Sequence, residues 1–147
     1  SKMLVLFLEG KMRDYEGRLL KEIWAYDDKN IERIHNFIQW IFPLDEPSKA
    51  VPSAPVLFED EIDEIKKSYL AKENLIKSKN WFIEFLKRTD AWVNEKNHNH
   101  LRISRMIKSL RILHSDEAAN SCFNEILNIA TSRNFQSYNV VRYWQKC

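Results

Sequence analysis

His35-Asn36-Phe37-Ile38-Gln39-Trp40-Ile41-Phe42-Pro43-Leu44-Asp45-Glu46-Pro47-Ser48 is the stretch from which the rest of the chain is read. At roughly 100° per residue, Ile31, Ile34, Phe37, Ile38, Ile41 and Phe42 fall on one arc, which predicts a buried helix face. Pro43 cannot donate a helical hydrogen bond and disfavours the α conformation at Phe42, so the helix is predicted to stop there. His35 and Gln39 then sit one turn apart at the edge of that face, with Glu32 near them. Trp40 lies off the main arc. Either the helix is buried on two sides or the following segment covers the ring. Pro47, Pro52 and Pro55 keep that segment extended, as a long loop from Pro43 to Leu57. A loop of this length is usually functional or packed as a belt.

Upstream, Asp27-Asp28 supplies an N-cap and favourable first-turn charge for this helix. Arg18 to Tyr26 has helical spacing, Asp14 to Gly17 reads as a turn, and residues 2–12 fit either a short helix or a strand. Downstream, Glu59-Asp60-Glu61 opens a helix with Ile62, Ile65 and Tyr69 on one face. Ser68 can restart the chain into another, carrying Leu75, Ile76, Phe82, Ile83 and Leu86. Thr89 to Lys96 is a connector containing Trp92. Leu101 to His114 is helical. So is Ser115 to Thr131, capped by Ser115, and a last helix is capped by Ser137. No alternating strand and no repeat is found. The expected fold is all-α, a single domain over residues 1–147, built as a compact bundle of about six or seven helices with one long proline-rich loop.

The composition agrees. With 147 residues the chain can bury roughly 68–70% of its unfolded surface, enough for one self-sufficient core. Five Trp and eight Phe make that core strongly aromatic, while two Gly argue against sheet-rich and Gly-loop nucleotide folds. A net charge of +2 does not by itself imply nucleic acid or an anionic membrane. Charge is nonetheless segregated: residues 45–64 hold seven acids against Lys49, and residues 96–114 hold five Lys or Arg and no acid. Cys122 and Cys147 suit a reducing compartment better than a disulfide framework. The apolar run Met3–Leu8 is far too short to span a bilayer and lacks a signal-peptide shape. A soluble, cytoplasmic or nuclear protein is expected.

Chemistry is sparsely signalled. Arg102, Arg105 and Ser109 share a strip beside the core face of their helix, so the two arginines either pair with carboxylates or await an anionic ligand. Arg111 and Lys108 lie elsewhere and read as solvated. His98 and His100 at i, i+2 could reach one metal, but no Cys, Asp or Glu cluster completes a site, and capping by Asn97 or Asn99 is the better reading. Ser104 and Cys122 lack an assignable base. No Walker motif, G-x-G-x-x-G, H-E-x-x-H or zinc ribbon is present. No cofactor, metal or catalytic residue is expected.

At two stretches the chain resembles a known family. Glu32-x-x-His35-x-x-Ile38-Gln39-Trp40-Ile41-Phe42-Pro43 looks like the "LExxHxYIQWLFP" of the opioid growth factor receptor conserved N-terminal region, which includes shorter bacterial relatives. Asp45-Glu46-Pro47-Ser48 with Ala54-Pro55-Val56-Leu57 is similar to its "xEPSxxNPxAPLL". Asn99-His100-Leu101-Arg102-Ile103-Ser104-Arg105-Met106-Ile107-Lys108-Ser109-Leu110 is similar to its "HNxLRITRILxSL", and Tyr143-Trp144 to its terminal "YW". The resemblance runs from about Phe7 to Trp144. Phe58 stands where relatives often carry a Thr cap, and Phe85-Leu86-Lys87 replaces a Phe-Tyr-Gly. The resemblance implies a binding module, the vertebrate members being associated with a short enkephalin peptide. The expected ligand is a peptide, a protein partner or a small anion. The candidate contacts are His35, Gln39, Trp40, Asn99, Arg102 and Arg105, with the two helix edges expected to face each other across the proline-rich loop. An enzyme on the same His/Arg residues, or a weak nucleic-acid binder through residues 96–114, are the alternatives.

Overall fold

The computed structural model describes residues 2–94 and 96–147. Glu95, inside the expected Thr89–Lys96 connector, lies outside the described residues. Among those residues every regular element is helical and no strand is formed. Nine helices form: α1 Met3–Leu8, α2 Leu20–Trp24, α3 Asp28–Arg33, α4 Ile38–Ile41, α5 Glu59–Lys67, α6 Tyr69–Arg88, α7 Asn99–Leu113, α8 Asp116–Ser132 and α9 Tyr138–Gln145. Residues 42–58 contain neither helix nor strand. The chain falls into two compact units, Ser1–Ser78 and Lys79–Cys147.

Helix starts follow local capping chemistry. Asp27 accepts from the Asn30 N–H at 2.8 Å at the start of α3, and Ser115 accepts from the Ala118 N–H at 3.1 Å at the start of α8. Each such cap contributes about 1 kcal/mol. Ser68 does restart the chain, its hydroxyl taking the Ala71 N–H at 3.1 Å. Ser137 caps α9 and Asn97 takes the Asn99 N–H at 2.9 Å. Where Phe58 replaces a capping side chain, Glu61 reaches back to the Phe58 N–H at 3.0 Å. Its other carboxylate oxygen accepts from the Leu4 N–H at 3.3 Å, at the start of α1. One buried carboxylate thus serves two helix N-termini, where the helix dipole favours negative charge. Tyr69, expected inward, is instead 79% exposed. It lies beyond the break at Ser68, whose extended ψ of 107° uncouples the register of α5 from that of α6.

The expected continuous helix from Asp28 to Phe42 is not formed. It breaks into α3 and α4, with Ile34 extended at ψ 125°. The physical reason is a competing donor. In an unbroken helix the Asn36 carbonyl would accept from the Trp40 N–H. Here Trp40 N–H bonds to Phe37 at 3.0 Å, and the Asn36 carbonyl accepts from Arg18 Nη2 at 3.1 Å. Arg18 Nη1 also donates to Asn36 Oδ1 at 2.9 Å, and Arg18 Nε pairs with the fully buried Asp14 carboxylate at 2.7 Å. Burial opposes the Arg18 charge, but hydrogen bonds to Tyr26 and Asp14 outweigh it and raise its pKa. This break is one source of the extra helices over the expected six or seven.

In the second unit α7 packs against α8 and α9, which also pack on each other. Trp92 and Trp144 are fully buried there with ring centroids 6.3 Å apart. Arg133 closes the end of α6 by donating to the carbonyls of Leu86, Lys87 and Thr89, while its guanidinium lies 5.9 Å from the Trp92 ring. Those orphan carbonyls and the negative end of the helix dipole favour a cation at that point.

Candidate functional site

Of the six residues expected at the site, His35, Gln39 and Trp40 belong to the first unit, and Asn99, Arg102 and Arg105 to the second. They differ sharply in burial.

His35 is exposed rather than half-buried at a helix edge, because it falls in the break between α3 and α4. The spacing to Gln39 is therefore not one helical turn. All four residues of α4 are buried, so this short helix is enclosed on more than one side. Trp40 is only 3% exposed, with its ring 5.2 Å from Phe7 of α1 and 4.7 Å, edge-on, from Tyr15. Such edge and tilted contacts add roughly 0.5–1.5 kcal/mol beyond area burial. Gln39 is 6% exposed, and its Oε1 finds no hydrogen-bond partner among the described residues.

In the second unit Asn99 is fully buried in the first turn of α7. Its Oδ1 accepts from Arg102 Nη1 at 3.3 Å, and Arg102 is 6% exposed. Arg105, one turn on, is half-buried, and Leu101 on the outer side of the same helix is 65% exposed. The helix therefore carries a buried guanidinium at Arg102 one turn before the half-buried Arg105. His100 Nε2 lies 2.6 Å from the Trp92 carbonyl, which can only accept, so that nitrogen carries the proton. The ring sits among Phe135 and Trp144, and Trp144 Nε1 donates to the His100 carbonyl at 3.1 Å. His100 is a packing residue, and His98 is exposed.

Arg111 is not the solvated charge expected from its helical position. Its guanidinium donates to the Cys147 carbonyl at 2.7 Å, Asp116 at 2.9 Å and Asn120 at 2.8 Å. Sequence spacing missed it because Asp116 and Asn120 stand on the next helix and Cys147 beyond the last. Lys108 places its ammonium 5.6 Å from the Tyr143 ring. Of the five basic residues in 96–114, Arg102 is thus buried and Arg111 engaged with an acid and two neutral acceptors.

Cys122 and Cys147 are free and buried. Burial pushes the Cys122 thiol up to about 12, with smaller influences from Lys79, which lowers it, and Glu125, which raises it, the two being paired at 2.8 Å. A protonated thiol is a poor nucleophile. Because its folded value lies above its ordinary 9.0, the stability associated with the neutral thiol is complete below about pH 9 and is lost as pH rises toward 12. Cys122→Ala should therefore flatten the alkaline limb of stability measured by urea melts. An unchanged slope would show that the thiol ionises alike in both states.

No helix among the described residues is long and apolar enough to cross a membrane. No solved structure matches the chain. A family model described as the Opioid growth factor receptor (OGFr) conserved region matches residues 13–128. That span contains both distinctive stretches but stops short of Tyr143-Trp144. The opioid growth factor receptor-like protein 1 of Mus musculus is 31% identical over 115 residues, covering 65% of this chain and 25% of the relative. Its counterpart in Xenopus tropicalis is 32% identical over 115 residues, covering 65% and 22%. The opioid growth factor receptor of Homo sapiens is 28% identical over 105 residues, covering 59% and 15%. The chain thus spans a quarter or less of these curated relatives. With the family model covering most of its length, the chain belongs to the opioid growth factor receptor conserved-region family.

Proposed function

We propose that this domain is a non-catalytic recognition module whose ligand is a peptide carrying a free carboxylate, bound at the Asn99/Arg102/Arg105 edge of α7. The observation that carries this reading is the Asn99–Arg102 contact at 3.3 Å, made by an arginine only 6% exposed and one turn before Arg105. Arg102 is held by its neighbour below the surface, so a docking carboxylate meets the half-buried Arg105, one turn on. Exposed Leu101 beside it supplies apolar contact for a neighbouring side chain. The relatives' name, receptor for an opioid growth factor, fits a recognition role. In the first unit His35 is the candidate accessible to a ligand, while Gln39 and Trp40 pack α4.

The test uses short peptides in free-acid and amidated forms, with binding followed by calorimetry. Free-acid peptides should bind more tightly. Arg105→Lys, which keeps the charge but removes the planar fork, should weaken them about tenfold. Arg105→Lys variants that bind both peptide forms like the parent would reject the reading.

A further inference from the structure

α8 and α9, the latter beyond the family-matched residues 13–128, line an open groove that no part of the α7 reading uses. Its volume is about 270 Å³, and its lining includes Leu127, Phe135, Tyr138, Val141, Arg142 and Gln145. The local sequence builds it. After α8, Asn134 adopts a left-handed turn at φ +59°, a conformation Asn tolerates better than most residues. That turn brings the chain back as α9. Tyr138, Val141, Arg142 and Gln145 then share one face of α9 by their i, i+3, i+4, i+7 spacing, while Trp144 is buried on another. Leu127 and Val141 are half-buried, and Phe135 is 7% exposed.

The groove has a single charged lining residue, the exposed Arg142. Its guanidinium lies 5.7 Å from the centre of the 69%-exposed Tyr138 ring, and no carboxylate of the described residues pairs with it. Gln145 adds a neutral donor and acceptor at the same end. An apolar floor with one unneutralised cation and an exposed aromatic face complements a flat apolar body bearing one negative charge. The volume lies just below the roughly 300–1,000 Å³ typical of small-molecule pockets. From this we infer that the α8/α9 groove is a binding site for a small free aromatic monocarboxylate. Its carboxylate meets Arg142, and its ring lies against Tyr138 over Leu127, Phe135 and Val141.

The probe is 2-naphthoate, titrated into the full chain and followed by amide chemical-shift mapping and calorimetry. Saturable binding is expected, with shifts concentrated at the end of α8, the Asn134 turn and α9. Arg142→Gln should weaken it about tenfold or more, as for loss of a charge-assisted contact. Val141→Trp, which fills the groove, should abolish it. Naphthalene-2-methylammonium should not bind, and Arg105→Lys should leave naphthoate binding unchanged, separating this site from the α7 edge. Shifts elsewhere in the chain would overturn the inference, as would equal affinity in Arg142→Gln. Tighter binding of a peptide ending in phenylalanine would overturn the assignment to a free acid. The mapping on the parent chain decides the matter even if Val141→Trp does not fold.

Discussion

Arg18→Met should destabilise the protein by about 3–5 kcal/mol, the cost of removing one partner of a buried ion pair. The Asp14 side chain is fully buried and that of Arg18 only 13% exposed, so solvent cannot replace the lost cation easily. Asp14 Oδ1 would keep the backbone N–H groups of Glu16 and Arg18, each at 2.9 Å, but Oδ2 would lose Arg18 Nε. Asn36 would lose both its side-chain and backbone partner at once. Urea denaturation should show the loss at neutral pH. Arg18→Met/Asp14→Leu should recover part of it, because the uncompensated buried charge is then gone. A loss below about 1 kcal/mol would mean that water reaches Asp14 and that the pair behaves as a surface bridge.

A second large effect is expected at Trp144. Trp144→Ala should cost about 3–5 kcal/mol, the range for deleting a large buried aromatic side chain. The residue is fully buried, and its ring lies 6.3 Å from Trp92, 5.6 Å from His100 and 6.4 Å from Phe135. It also ties α9 to α7 through the His100 carbonyl at 3.1 Å. Trp144→Phe keeps most of the apolar surface and removes only that hydrogen bond and some volume. It should cost clearly less than the alanine change. Equal losses in the two variants would place the energy in the hydrogen bond rather than in packing.

The contrast between these two sites shows where local reading reaches its limit. At Trp144 the short spacing of Val140, Val141 and Trp144 with Ser137 ahead predicts an amphipathic, capped helix, and α9 is one. At Arg18 nothing local announces that the residue will reach Asn36, eighteen positions away. Along Ile31, Phe37, Ile38, Ile41 and Phe42 the apolar pattern correctly marks buried residues, while Ile34, also on the predicted arc, falls in the break and is only half-buried. Its continuity as a helix fails because a long-range donor takes the Asn36 carbonyl. That failure moves His35 into solvent and unlinks it from Gln39. Similarly, Arg102 beside the core face is legible as a partly enclosed charge. Arg111 looks solvated until Asp116, Asn120 and the Cys147 carbonyl arrive from other parts of the second unit.

By itself, then, the sequence determined the helical class, the caps at Asp27, Ser115 and Ser137, and the family, because these rest on side-chain periodicity, nearest-neighbour hydrogen bonding and residue wording. Tertiary structure alone decided where the long helix breaks, which arginines are neutralised, that Trp40 packs against Phe7 and Tyr15, and that a groove carrying Arg142 opens between α8 and α9. Each of these depends on a donor, an acceptor or a surface from another element, and such partners become neighbours only once the chain has folded.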